Sequence, residues 1–210
     1  MDVESIRSFL EVRRARGMLF AAVIAGVLTM LIGAHSVAMP MAVNGERGAI
    51  SIWRMLAIIP GILPALSLHS PLGDLEQMST RSFRRYERAF LGIVSLLCAG
   101  TFLICSAFSF NLQTVAVIAR ALPAWLGLAL IGGKLMGWRL SWTLPTFAAT
   151  VVWYWGYQGE GRYAWWEFTA RPFDDSWSLL LSMALFGLGL LAYEATPWRR
   201  REIAGRLGQQ

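Results

Sequence analysis

The sequence predicts an all-α integral membrane protein with six transmembrane helices. The chain has 210 residues, of which 56% are hydrophobic and only 15% are charged, whereas soluble domains carry about a quarter charged residues. The charges are also segregated, because clusters of arginine separate apolar segments that reach the roughly 20 residues needed to cross a bilayer as a helix. The alternating pattern of a membrane β-barrel does not occur. Helices satisfy their own backbone hydrogen bonds, as a lipid environment requires.

Six apolar segments provide the predicted spans. Prolines interrupt the second span at Pro60 and Pro64, the fourth at Pro123 and the fifth at Pro145. The first segment is too long for a signal peptide and has no convincing cleavage site, so we expect it to be a retained span. The spans are expected near residues 17–39, 50–68, 89–110, 115–133, 140–157 and 177–196.

The distribution of basic residues predicts the orientation of these spans. With the N-terminus inside, fourteen of the nineteen basic residues fall on the inner side, and five fall on the outer side. The outer five are Arg47, Arg54, Arg120, Arg162 and Arg171. We therefore expect a multi-pass protein of the plasma membrane with both termini in the cytoplasm. The net charge of +6 reflects this topology rather than binding to nucleic acid.

The connection between the second and third spans, "SPLGDLEQMSTRSFRRYERAF", predicts an amphipathic helix on the cytoplasmic side. Ser70 and Pro71 are a favourable helix start, and a wheel at 100° per residue places the apolar side chains opposite the arginines. The arginines are Arg81, Arg84, Arg85 and Arg88. Two interpretations stay open and are compatible: an anchor that binds anionic lipid head groups, or a docking element for a cytoplasmic partner.

The longest outer connection, "YQGEGRYAWWEFTARPFDDSW", is far too apolar for a free loop. Its glycines, followed by clustered aromatic residues and by the capping residues Asp174, Asp175 and Ser176, predict a short helix in or near the outer interface. It is either part of a simple aromatic belt or a gate over a substrate path.

Charged residues inside or near the spans have local explanations in the sequence. Arg54 and Arg120 lie close to the outer ends of the second and fourth spans, and we expect both to snorkel to the outer surface. Glu194, near the inner end of the sixth span, is expected to form an ion pair with the nearby Arg199 and Arg200.

The stretch "IIPGILP" weakens the helix of the second span. Pro60, Gly61 and Pro64 leave backbone carbonyls without their helical partners. They provide either a kink that aids packing or a hinge that lines a transport path.

Catalytic, metal-binding and cofactor-binding motifs are not found in the sequence. His35 and His69 are expected near opposite faces of the membrane, which disfavours a shared metal site. Neither Gly-x-Ser-x-Gly nor Cys-x-x-Cys occurs, and "GGKL" lacks the spacing of a phosphate-binding loop. Cys98 and Cys105 are about two helical turns apart, too far for a disulfide. The chain therefore has no visible means of hydrolysing ATP alone.

Taken together, this layout resembles the membrane subunits of ABC-2-type transporters, which have the type V exporter fold. Residues 1–16 resemble the cytoplasmic interfacial helix of that family, and residues 70–88 resemble its coupling helix. Residues 158–176 resemble the re-entrant outer element before the last span, and 197–210 form a cytoplasmic basic tail.

The resemblance implies that two such subunits, identical or related, enclose a substrate path in the lipid membrane. Separate ATP-binding cassette subunits would dock on the inner helices, and ATP and Mg²⁺ would act only through them. The docking residues implied are Leu72, Leu75, Arg81, Arg84, Arg85 and Arg88. The runner-up hypothesis is a non-transporting membrane scaffold or accessory subunit, and the third is a membrane-embedded enzyme acting on lipids.

Overall fold

The computed structural model describes residues 15–40, 42, 47–69, 81–158 and 162–195. Nearly all of the predicted interfacial helix at 1–16, the first part of the predicted coupling helix with Leu72 and Leu75, and the basic tail at 197–210 lie outside these residues. The predictions made for them stay predictions.

The described residues form a mostly helical fold with one small β-hairpin. In chain order the elements are α1 (Ala15–Ile32), β1 (Ser36–Pro40), β2 (Arg47–Ser51), α2 (Ile52–Leu56), α3 (Ile58–Leu66), α4 (Arg81–Ala107), α5 (Leu112–Met136), a 3₁₀ turn (Trp138–Leu140), α6 (Thr143–Trp155) and α7 (Ser176–Glu194).

Three helices in the described part of the chain are long and apolar enough to cross a membrane: Arg85–Ala107, Leu112–Met136 and Ser176–Glu194. They correspond to the predicted third, fourth and sixth spans. Shorter apolar helical stretches occupy Arg16–Ile32 and Ile52–Leu66. Helix α6 has 13 residues, or about 20 Å at 1.5 Å per residue, which is shorter than the roughly 30 Å of a hydrocarbon core. The helical class is confirmed, while the count of six spans stays a prediction.

Helix α5 lies at the centre of the fold. It packs most extensively against α7, and also against α3, α4 and α6. In its most apolar stretch 61% of the residues are buried, against 17% in α7. The main core cluster surrounds the fully buried Trp125 and includes Ile62 from α3, Ala149 from α6 and Phe168 from the connection before α7. The fold therefore assembles around one buried helix.

Glycines set the distance between α5 and α7. A Cβ atom at Gly127 would overlap the backbone carbonyl of Leu185, and one at Gly189 would lie 2.5 Å from the Cα of Gly127. Small residues at such crossings let two backbones approach closely, which is how helices associate in lipid, where apolar burial gives little driving force.

Helices α1 and α4 form a second packed pair with its own small core. Phe90, Val94 and Cys98 of α4 are buried together with Ala22 of α1 and Leu63 of α3. Cys98 is therefore a packing residue. The remaining surface of these helices exposes large apolar side chains, among them Leu31 at 67% and Leu96 at 75%, and such surface is expected where lipid is the solvent.

The proline-containing stretch divides the predicted second span into α2 and α3, which meet at Ala57. Pro60 has no N–H to bond the carbonyl one turn earlier, so the α-helical ladder is interrupted at that point. Pro60, Gly61 and Pro64 are all buried, and a Cβ at Gly61 would lie 2.5 Å from the Cβ of Trp125. The break therefore brings α3 against α5. A hinge role for these three residues stays a prediction.

A β-hairpin joins α1 to α2, and the sequence interpretation did not predict it. The strands pair antiparallel from Ser36 with Ser51 to Pro40 with Arg47. Residues 36–39 of β1 and 50–51 of β2 had been assigned to the ends of the first two spans. Ile50 is almost fully buried, whereas Val37, its cross-strand partner on the same face, is exposed, so the hairpin packs on the helices through β2 rather than through β1.

Candidate functional site

Residues 162–175, which we call the outer segment, fold back onto the helices before α7 begins. The segment starts beside the end of α6, where Gln158 N–H donates to the Arg162 carbonyl at 2.9 Å and Ala164 N–H donates to the Gly156 carbonyl at 2.8 Å. These fourteen residues consist of turns, a bend, one bridge between Tyr163 and Tyr157, and irregular backbone, so they do not form the short helix that the sequence predicted. Glu167, together with Phe168, is buried almost completely.

A buried ion pair holds the middle of the outer segment. Arg54 of α2 places its Nη2 atom 2.9 Å from Oε2 of Glu167, and the two side chains are 10% and 2% exposed. Thr169 joins the pair, because its hydroxyl donates to Glu167 at 2.6 Å and accepts from Arg54 Nη2 at 2.6 Å. The backbone N–H of Thr169 also donates to Glu167 at 2.9 Å. Both charges are therefore compensated within the protein, as buried charges must be.

A second arginine binds the backbone of the same segment. Arg120, in the first half of α5, is 5% exposed. Its guanidinium donates to the carbonyls of Pro172 at 2.7 Å, Arg171 at 2.8 Å and Phe168 at 3.2 Å. These carbonyls belong to turns and have no helical ladder to satisfy them. Arg120 thus supplies the hydrogen-bond donors that regular secondary structure would otherwise provide for these carbonyls.

The prediction that Arg54 and Arg120 snorkel to the outer surface is wrong. Each side chain turns inward to the outer segment, because acceptors lie within reach there: a carboxylate for Arg54 and backbone carbonyls for Arg120. Sequence reasoning missed Glu167 and Thr169. The available signal was one acid inside the aromatic run "AWWEFTA", combined with two arginines placed at a similar depth in apolar helices.

Aromatic rings fill the space beneath the ion pair. The ring of Phe168 lies against Trp125 of α5 with centroids 5.0 Å apart. Trp153 of α6 and Trp166 of the outer segment pack against the same cluster. The indole N–H groups of these three tryptophans are buried and have no acceptor among the described residues. The core that contacts the outer segment is thus aromatic and holds buried indole donors without acceptors among the described residues.

A shallow cavity of about 340 Å³ lies beside Thr169, between Trp53, the first turns of α5 and the end of the outer segment. Arg171 lines it and also forms an ion pair with Asp175 at 3.4 Å.

Asp175 caps α7, with its carboxylate accepting from the Ser178 N–H at 3.0 Å and from the Ser178 hydroxyl. The hydroxyl bond is the largest cause that lowers the pKa of Asp175 below its ordinary value of 3.8, with further contributions from the backbone bond and from Arg171. The end of the outer segment is therefore tied to the start of α7.

The opposite end of the bundle carries the predicted docking residues that the structure describes. Helix α4 begins at Arg81 and continues without a break into the apolar stretch, so the predicted boundary between a coupling helix ending at 88 and a span starting at 89 is not present. Arg85 and Arg88 are exposed, and Arg88 forms an ion pair with Glu194 at the end of α7. Arg199 and Arg200, the predicted partners of Glu194, lie outside the described residues.

Among the described residues no group of three or more His, Cys, Asp or Glu side chains is placed to hold a metal ion. Comparison of the chain with protein families, with curated proteins and with solved structures finds no match.

Proposed function

We propose that this chain is the membrane-spanning subunit of an ABC-2-type transporter, most simply an exporter. It forms a substrate path with a second copy or a related subunit, and separate ATP-binding cassette subunits drive it. In this proposal α1, the α2–α3 pair and α6 complete six spans with the three long helices, and both termini lie in the cytoplasm.

The single observation that carries the proposal is the continuity of α4. Its first turns bear Arg81, Arg84, Arg85 and Arg88, and the same 27-residue helix then runs on to Ala107. A force applied by a partner at the basic end, residues 81–88, would move the whole helix, because no loop or proline interrupts its hydrogen bonds. A loosely tethered membrane anchor has no need for such a rigid connection.

Contacts at the basic end extend this connection to the outer side. Arg88 links α4 to the last turn of α7 through Glu194. Helix α7 in turn follows the outer segment directly, capped by Asp175 at their junction. A tilt of α4 and α7 against α5 would thus transmit the motion of an ATPase to the outer segment.

Purification of the tagged chain in mild detergent, with mass spectrometry of the co-eluting proteins, tests the proposal. We expect an ATP-binding cassette protein to co-elute with the parent chain and to be lost when Arg84→Glu and Arg85→Glu are combined. Arg139→Glu, a reversal at another exposed arginine, is the matched control and should retain the partner. A chain that elutes alone, identically in all three forms, would contradict the transporter and favour a scaffold with a basic anchor.

A further inference from the structure

We infer that the outer segment is a gate that occupies the substrate site, and that the transported substrate is an anionic amphiphile. The inference rests on the proposed function and deepens it. It is based on the contacts that three consecutive residues, Glu167, Phe168 and Thr169, make with the helices around them.

The first element is the negative charge. Arg54 belongs to α2, and its contact with Glu167 is made to a segment more than a hundred residues away in the chain. If the outer segment moved out, the Arg54 guanidinium would lose the carboxylate that compensates its charge. A state with the segment displaced is therefore favoured when another anion takes the place of the Glu167 carboxylate.

The second element is the apolar body. The Phe168 ring packs against Trp125 at a tilted angle, and its departure would uncover an aromatic surface that includes Trp125 and Trp153. An acyl chain or a ring system can pack against such a surface without burying polar groups of its own. The indole N–H donors of both tryptophans, which have no acceptor among the described residues, would serve ester, ether or hydroxyl oxygens next to the apolar body.

The third element is Arg120, which carries a second positive charge beneath the segment. Three carbonyls of the outer segment occupy its guanidinium at 3.2 Å or less, but no carboxylate is bonded to it among the described residues. With the segment displaced, its planar fork is free for an acid oxygen pair. The Glu167 carboxylate, the Phe168 ring and the carbonyls bonded by Arg120 therefore occupy the positions that a substrate with an acidic head group and an apolar body would take.

Binding of brominated amphiphiles to the purified chain in neutral maltoside micelles tests the inference, because bromine quenches tryptophan fluorescence on contact. The probes are dibromostearic acid in its ionised form, its neutral methyl ester, and dibrominated phosphatidylglycerol. Comparison of the free acid with the lipid shows whether the acidic head group comes from a soluble amphiphile or from a membrane lipid. We expect saturable quenching by at least one anionic probe, none of comparable affinity by the ester, and loss of the saturable component in Trp125→Phe.

Variants of the gate make the test decisive. Glu167→Gln keeps the size of the side chain and removes the competing charge, so we expect an anionic probe to bind about tenfold more tightly. Arg54→Gln should weaken binding by a similar factor. Thr169→Val removes the hydroxyl between the two charges and serves as the second loosening variant if Glu167→Gln does not yield folded protein.

Equal quenching by the acid, the lipid and the ester, or unchanged affinity in the loosened variants, would overturn the inference. The experiment uses the chain without its partner, so its failure leaves the co-purification result of the proposed function untouched. Conversely, tight binding of an anionic probe by a chain that co-elutes with no ATPase would reject the transporter and keep the site.

Discussion

Breaking the buried pair between Arg54 and Glu167 should destabilise the protein far more than removing an exposed arginine. Arg54→Met leaves a carboxylate that is 2% exposed with only Thr169 as donor, and Glu167→Met leaves a guanidinium without its counter-charge. Removal of one partner of a buried pair costs about 3–5 kcal/mol. For a chain of about 200 residues this corresponds to a fall in Tm on the order of 10 °C.

The double variant Arg54→Met with Glu167→Met separates the charge effect from the loss of contacts. With both charges removed, the site is an apolar core of similar volume, and we expect most of the lost stability to return. The assay is thermal unfolding in mild detergent, followed by tryptophan fluorescence. Arg139→Met, at an exposed arginine, is the control and should change stability by less than about 0.5 kcal/mol. Single variants within about 2 °C of the parent, or a double variant as unstable as the sum of both, would refute the reasoning.

Three further predictions concern the helix contacts. Gly127→Val should lower Tm by several degrees, because the added side chain meets the backbone of α7. Gly187→Ala, with open space around it, is the control and should leave Tm unchanged. Equal effects of the two variants would contradict the close crossing of α5 and α7. Arg88→Glu should cost less than about 1 kcal/mol, because the pair with Glu194 is half exposed, and the exchange Arg88→Glu with Glu194→Arg should recover that loss in the same unfolding assay. Asp175→Ala should lower stability by about 1 kcal/mol at neutral pH. Since the pKa of Asp175 is lowered in the folded chain, its charge stabilises above the ordinary value of 3.8, and the difference between parent and variant should shrink as pH falls through the lower folded value. A difference independent of pH would contradict the capping role.

The long helices could be predicted from the sequence because they depend on local information. An apolar segment that crosses lipid satisfies its backbone hydrogen bonds internally as a helix, wherever it lies in the chain. The predicted fourth span at 115–133 became α5, Leu112–Met136, and the sixth at 177–196 became α7, Ser176–Glu194. The ends differ by a few residues, because caps such as Asn111 and Asp175 decide them.

The hairpin between α1 and α2 was missed for a physical reason. Its strands, SVAMP and RGAIS, contain apolar residues that also suit the end of a membrane helix, so hydropathy assigned residues 36–39 and 50–51 to the spans. Asn44 and Gly45 belong to the six residues between the paired ends Pro40 and Arg47, and as typical turn residues they were the local signal available in the sequence.

The position of the outer segment could not be read from local patterns at all. Its aromatic composition predicted an interfacial helix, but its place is set by contacts with Arg54 and Arg120. The bond between Arg54 and Thr169 joins residues 115 positions apart. Which arginine meets which acceptor depends on how α2, α5 and the outer segment assemble in three dimensions.

The most direct test of the central claim, that a cytoplasmic ATPase docks on the basic end of α4, is photo-cross-linking in living cells. Tyr86, which is 45% exposed between Arg85 and Arg88, is replaced by benzoylphenylalanine, and Trp177, 51% exposed at the start of α7, is replaced as the outer-end control. We predict a cross-link to an ATP-binding cassette protein from position 86 and none from position 177. Absence of that cross-link at position 86, or equal cross-linking from both positions, would contradict the account.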